Sequence, residues 1–270
     1  LEETVDSYFY KYKTYDPSKK FVKLTKIIEE REDDLSKGAQ VVKCFVKKGI
    51  TKNSCTKLLY QGLRETFIKQ IRIYGTNKFP SILNIIGYNI HKKNQLLFVE
   101  TKEKGSLETI INSHKKIEDT HKLIIAYGVA RALEFLHKNE IVHRNLNPSN
   151  IMIDSHFHPY LSDFYYANII RDKHHYKVKE TTPEFMAPEF FKDYKTNQES
   201  FEIDVYSFGV TLFILVSESN PFASKNPSDV FAETLSGKRP EFPSNFPQNW
   251  RKLIERCWTH EPEQRPSMNG

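Results

Sequence analysis

One stretch limits the folds open to this chain more than any other: Ile141-Val-His-Arg-Asn-Leu-Asn-Pro-Ser-Asn-Ile-Met-Ile-Asp154, with Tyr160-Leu-Ser-Asp-Phe-Tyr165 close behind it. Upstream, residues 121–137 are strongly helical in pattern, with Leu123, Ile124, Val129, Ala130, Leu133 and Leu136 as the apolar positions. The stretch is therefore a tight polar loop between an amphipathic helix and two short apolar strands. Asn150 and Asp163, two groups able to hold a cation, flank those strands.

The rest of the chain sets the bounds. At 270 residues and 39% hydrophobic it can bury one large core, or two lobes around a cleft. Forty basic against 34 acidic side chains give a net charge of only +6. The pairs Lys19-Lys20, Lys47-Lys48, Lys92-Lys93 and Lys115-Lys116 are scattered among predicted turns. They read as a solvated lysine-rich surface and imply no nucleic-acid partner. Cys44, Cys55 and Cys257 show no C-x-x-C spacing; Cys44 lies in an apolar strand pattern and Cys257 beside Trp258 in a helical one, which fits buried reduced thiols in a cytoplasmic chain. The longest apolar run, Val210 to Val216, is far short of the roughly 20 residues a membrane span needs, and reads as a buried core helix. His156, His158, His174 and His175 find no third ligand at useful spacing and read as turn residues.

Taken in order, residues 1–20 carry Tyr8, Tyr10, Tyr12 and Tyr15, either as a flank packed on the domain or as an interdomain arm. Phe21–Ile28 and Ala39–Val46 read as strands, the second rich in β-branched residues. Between them, Glu29 to Gly38 holds five carboxylates and one glycine, at its far end. Lys57–Ile73 has helical spacing, with Leu58, Leu59, Leu63, Phe67 and Ile71 on one face. Leu96–Val99 reads as a strand, and Ser106 as the N-cap of a helix.

The central loop resembles the catalytic loop and metal-binding turn of the eukaryotic protein kinases, H-R-D-L-x-x-x-N followed by D-F-G. Other segments agree: Gln40-Val-Val-Lys43 resembles the V-A-I-K strand, and Phe79–Tyr88 the linker after helix C. Thr182-Pro-Glu-Phe-Met-Ala-Pro-Glu189 resembles T-x-x-x-M-A-P-E, and Asp204–Gly209 the start of helix F. Cys257-Trp258 with Arg265-Pro266 resembles the closing C-W-x-x-x-P-x-x-R-P. The style is that of the tyrosine-kinase-like group, nearest the mixed lineage kinase domain-like and receptor-interacting families. The resemblance implies a bilobal α+β fold: a flank at 1–20, a mostly β lobe at 21–101 with helix C, and a mostly α lobe at 102–270 whose last helix is cut short. Leu1 and Gly270 suggest excision from a longer protein.

By resemblance, Lys43, Gln70, Glu100, Asn150 and Asp163 line a nucleotide pocket, and Asn150 with Asp163 holds magnesium. Arg144 with Tyr176, Thr181 and Thr182 is the candidate phosphorylation switch; the alternative is an unmodified surface loop, with Thr182 a structural hydroxyl near Asn145. Glu189, Asp204 and Arg265 are structural, with Glu189 and Arg265 paired. Several working parts are altered. Asn145 stands at the general base and Asn147 where serine/threonine kinases place a lysine. Gln70 replaces the glutamate that pairs with Lys43, a neutral amide in place of an ion-pair partner. The phosphate lid lacks its glycines, whose bare backbone allows close approach, and Tyr165 replaces the glycine after Asp-Phe. These losses predict a pseudokinase without enzymatic activity, a signalling switch or scaffold for protein partners such as an upstream kinase or other domains of its own chain. It would require no cofactor and bind ATP weakly at most, with little dependence on magnesium. The alternative is an active serine/threonine or tyrosine kinase with atypical catalytic residues. A third reading is a structural module whose cleft is filled by its own side chains.

Overall fold

The computed structural model describes residues 26–29, 39–48, 51–60, 64–90, 95–171, 182–192 and 200–268, with side chains from Thr66 onward except at 86, 87, 89, 90, 95, 96, 191 and 192. The 1–20 flank, the acidic lid after Glu29, Tyr176, Thr181 and the His174-His175 pair lie outside the described residues, as does the side chain of Lys43. Two compact units meet in sequence between Glu103 and Lys104.

The first unit is built on an antiparallel sheet of β1 (Lys26–Glu29), β2 (Ala39–Lys48), β3 (Thr51–Tyr60), β4 (Ile85–Ile90) and β5 (Gln95–Glu100), in the order β1-β2-β3-β5-β4. Valines 41, 42 and 46 give β2 the β-branched content that suits a pleated ladder. Lys43 sits in the middle strand of a triplet, opposite Glu29 on one side and Thr56 on the other. The helix α1 (Arg64–Thr76) follows β3 and buries Phe67, Ile71, Ile73 and Tyr74. Its end is closed by Asn77, whose Nδ2 donates to the Ile73 carbonyl at 3.0 Å.

Here the expected helix over Lys57–Ile73 needs correction. Residues 57–60 are strand, with Leu58 opposite Leu97 and Leu59 opposite Leu96 in the ladder with β5. A short apolar run carries no period of its own, so pairing with a neighbouring strand decides its state, and Gly62 in the sequence marks the break.

The second unit is helical. After β6 (Gly105–Ser106), α2 (Leu107–Asn112) starts at Ser106, whose Oγ accepts the Thr109 N–H at 3.1 Å. The helix α3 (Asp119–Lys138) buries Ile125, Ala126, Val129, Ala132, Leu133 and Leu136. Those positions recur at three and four residues and form one stripe. Leu123 and Ile124, assigned to the apolar face from sequence, fall outside that stripe and are 58% and 37% exposed.

The loop between α3 and the next helices carries short strands. β7 (Ile141–Val142) pairs with β10 (Asn168–Ile169), and β8 (Ile151–Ile153) pairs with β9 (Pro159–Leu161) and β6. Between β8 and β9, Asp154 Oδ1 accepts the N–H groups of His156 and His158, both at 2.9 Å, and Tyr160 donates to Oδ2. His156 and His158 thus belong to a turn organised by a carboxylate. Among the described residues no cluster of three metal-ligating side chains occurs.

Beyond α4 (Pro188–Lys192) runs the core of the unit, α5 (Glu202–Ser217), buried at every position from Ile203 to Val216. It ends at Glu218 in the left-handed region, φ +54°. The Glu218 carboxylate accepts the Ile117 N–H and pairs with buried Lys122 at 2.7 Å, while Lys122 also donates to the Val216 carbonyl. One ion pair so closes the C-terminus of α5 and ties it to the start of α3. α6 (Pro227–Leu235) and α7 (Gln248–Cys257) complete the unit. Gly209 lets α5 and α7 touch: a Cβ there would lie 2.8 Å from the Cys257 Cβ. No helix among the described residues is long and apolar enough to cross a membrane.

Candidate active site

Asp204 fixes the loop that precedes the short strands. It sits fully buried in the first turn of α5, and its carboxylate takes three donors: the backbone N–H of His143 at 2.8 Å, that of Arg144 at 2.8 Å, and the His137 ring at 3.0 Å. Burial opposes its ionisation, but the bond from His137, the fields of His137 and His143 and the Arg144 N–H together hold its pKa below the ordinary carboxylate value. Arg144 is forced to φ +66°, an uncommon conformation for a residue with a side chain. Its guanidinium lies 5.6 Å from the centre of the Phe190 ring.

His143 is buried, and desolvation lowers its pKa despite the fields of Asp204 and Asp163. The neutral ring is read directly from its partners. Nδ1 accepts the Asn145 N–H at 3.3 Å, which leaves Nε2 to donate to the Ser162 carbonyl at 3.1 Å. Phe164 packs edge-on against it, fully buried.

The polar side chains of the loop converge on one another. Asn145 Nδ2 donates to Asp163 Oδ2 at 3.2 Å. Asn147 Nδ2 lies 3.2 Å from Asn145 Oδ1 and 3.1 Å from its backbone carbonyl, and Asn147 Oδ1 caps the short turn Pro148–Asn150 by accepting the Ser149 N–H. Asn150 Nδ2 donates to the Asn145 carbonyl at 2.8 Å, which leaves Oδ1 as the acceptor end of that amide. Asp163 has φ +61°, and its Oδ1 accepts the Tyr165 N–H at 3.4 Å. The Tyr165 phenol is half-buried, and desolvation first and the Asp163 charge second raise its pKa.

Asp163 and Asn150 thus offer a carboxylate and an amide oxygen, the hard oxygen donors that magnesium takes when phosphates and water fill its remaining positions. The donor set fits that ion.

Beside Asn145 lies a depression lined by Arg144, Thr182, Phe185, Phe190 and Ser207. Ser207 Oγ anchors its floor by donating to the Phe185 carbonyl at 2.7 Å. Glu189 and Arg265 form a buried two-pronged pair at 2.6 and 2.8 Å. Arg265 also donates to the carbonyls of Glu202, Thr259 and His260.

The first unit carries the other expected site residues. Gln70 is fully buried in α1, and neither atom of its amide makes a hydrogen bond among the described residues. Glu100 ends β5, its carboxylate accepting from Asn84 at 3.2 Å and Lys102 at 3.0 Å. Sequence reasoning missed His137 as a partner of Asp204 and missed the amide chain linking Asn145 to Asp163. The spacing of Asn145, Asn147 and Asn150 was the signal available for the latter.

Residues 32–270 match the protein kinase domain. The chain belongs to the protein kinase family. A serine/threonine-protein kinase/receptor of Acanthamoeba polyphaga mimivirus is 34% identical over 236 residues, 86% of this chain and 14% of that protein. The Arabidopsis thaliana serine/threonine-protein kinase CTR1 is 32% identical over 75% of this chain and 25% of its own length. A LIM domain-containing serine/threonine-protein kinase of Dictyostelium discoideum is 30% identical over 70% of this chain and 20% of its own. The chain therefore spans a minor part of the relatives it matches. These findings correct the expectation of a protein that is not an enzyme: a kinase domain related to proteins named as serine/threonine kinases points to an enzyme. They favour the alternative, a protein kinase with atypical catalytic residues. Kinase domains of this family work on ATP with magnesium.

Proposed function

We propose that this kinase domain transfers the γ-phosphoryl group of ATP, slowly, to serine or threonine in a protein substrate. The observation that carries the reading is the held pair Asn150 and Asp163, an ion-binding set kept in order by its own hydrogen bonds. Magnesium, when bound there with ATP, supplies charge neutralisation at the phosphates. Phosphoryl transfer passes through a loose transition state, so positioning and charge matter more than early proton removal.

Asn145 stands at the base position. Its Oδ1 takes one bond from Asn147 and has a second lone pair for the acceptor hydroxyl, which it orients. An amide does not carry the proton away, so the proton leaves to a phosphoryl oxygen or to water after the P–O bond has begun to form. Lack of a general base lowers the rate by roughly 10²–10⁴. The depression beside Asn145, with Phe185 and Phe190 in its lining, marks the side from which the substrate segment approaches. Weak ATP affinity follows from the acidic, glycine-poor lid.

The test is incubation of the purified chain with labelled ATP, magnesium or manganese and a protein substrate, beside Asp163→Ala and Lys43→Ala. Label transfer that both substitutions abolish supports the reading. No transfer above the two variants refutes it.

A further inference from the structure

We propose that Asn145 is a positioning residue, its side-chain amide aiming the Asp163 carboxylate at the divalent ion, and that Asn147 acts through it. The inference rests on the metal-dependent reading above and deepens it.

The two carboxylate oxygens of Asp163 each face an N–H: the Asn145 amide at Oδ2, 3.2 Å away, and the Tyr165 backbone at Oδ1, 3.4 Å away. A carboxylate at position 145 could not make the first bond, because an ionised carboxylate only accepts. The change at 145 therefore exchanges a repulsion for an attraction at the residue that meets the metal.

Asn147 sets which end of the Asn145 amide faces Asp163. Because Asn147 Nδ2 donates to Asn145 Oδ1 at 3.2 Å, the nitrogen of Asn145 is the end left for the carboxylate. The reversed amide would put oxygen against a carboxylate and nitrogen against nitrogen. Asn147 is fixed in its turn, its Oδ1 accepting the Ser149 N–H at 3.0 Å, and it is 2% exposed. Asn150 joins the same chain by donating to the Asn145 carbonyl. A lysine at 147 could donate to Asn145 as well, but its single flexible ammonium would not take the Ser149 N–H and would not be locked. The two asparagines make a directional relay: Ser149 orients Asn147, Asn147 orients Asn145, and Asn145 orients Asp163. Partners behind a metal ligand are worth about 10- to 100-fold in metal affinity.

The experiment measures Mn²⁺ binding to the purified chain, without nucleotide, from the paramagnetic resonance signal of the free ion. It compares the native chain, Asn145→Leu, Asn147→Ala and the double variant, with melting in EDTA to verify folding. Asn145→Leu is expected to weaken Mn²⁺ about 10- to 100-fold, and Asn147→Ala several-fold. In the double variant the loss stays close to that of Asn145→Leu alone, because the bond by which Asn147 orients the Asn145 amide is already gone. Independent, additive losses overturn the relay, as does Mn²⁺ binding by Asn145→Leu at native affinity. Should Asn145→Leu not fold, Asn145→Ala gives the same cycle. Failure of the native chain to hold Mn²⁺ overturns the metal-dependent reading itself, which is a different outcome from equal binding by all four proteins.

Discussion

Asn145→Asp restores a carboxylate at the base position, and its consequences can be worked out from the loop. General base catalysis is worth roughly 10²–10⁴ in rate, or about 2.7–5.4 kcal/mol at 1.36 kcal/mol per tenfold. The gain meets an opposing effect. The new carboxylate oxygen would stand where Nδ2 now lies, 3.2 Å from Asp163 Oδ2. At that separation two unit charges repel by about 5 kcal/mol in an effective dielectric of about 20. A hydrogen bond to a charged group, worth about 1.5–3 kcal/mol, is lost as well. Side-chain rotation relieves part of the repulsion and a bound divalent ion offsets the rest. The variant should therefore melt below the native chain in EDTA and recover in magnesium. With magnesium and ATP present, its rate of label transfer to a protein substrate should rise about 100-fold, the lower end, because Asn147 and the lid are unchanged. A folded Asn145→Asp no faster than the native chain would sink the reasoning, as would a gain that survives Asp163→Ala.

Other outcomes follow from the core of the second unit. Asp204→Asn leaves a neutral amide facing three donors, so at least one N–H loses its acceptor, and stability should fall by about 1–3 kcal/mol in urea melts. Because the folded pKa of Asp204 is depressed, its contribution is present above the unfolded value of about 3.9 and is lost as pH falls through the folded value. His143 acts earlier: its folded pKa is also lowered, so below about 6.5 the unfolded chain binds the proton first, and urea midpoints should already decline between pH 7.5 and 5.5. Arg265→Ala strands the buried Glu189 carboxylate and should cost about 3–5 kcal/mol, while the Glu189→Gln, Arg265→Met double substitution should cost less than the two single losses added together. Gly209→Ala drives a methyl into Cys257 and should cost about 1–3 kcal/mol, visible as a lowered melting temperature without change in the far-ultraviolet spectrum.

The motifs of the second unit were legible because each combines a fixed spacing with a chemical need. Glu189 and Arg265 stand far apart in sequence, yet a buried guanidinium and a buried carboxylate require each other, and they meet. Asp204 could be read as structural, but not as the acceptor of the loop's backbone, because backbone donors carry no sequence signature. In the first unit the period failed at Leu58 and Leu59, where cross-strand pairing outweighed local pattern. It failed again at Leu123 and Ile124, since apolar composition does not tell which side of a helix meets the core. Asn145 shows what residue type alone leaves out. From sequence, the side chain is a base that has lost its charge, and inactivity follows. In the folded loop the same amide is a donor with an acceptor waiting, a property that lives in the orientation Asn147 gives it and not in the residue type.

The carboxylate at the head of α5 grips peptide groups, not side chains, when it binds residues 143 and 144. Whatever amino acid occupies the next positions, the trace of the chain there is dictated from the centre of the unit. Substitutions at 145 and 147 leave that grip on residues 143 and 144 in place. A scaffold arranged this way can exchange its chemistry and remain the same shape.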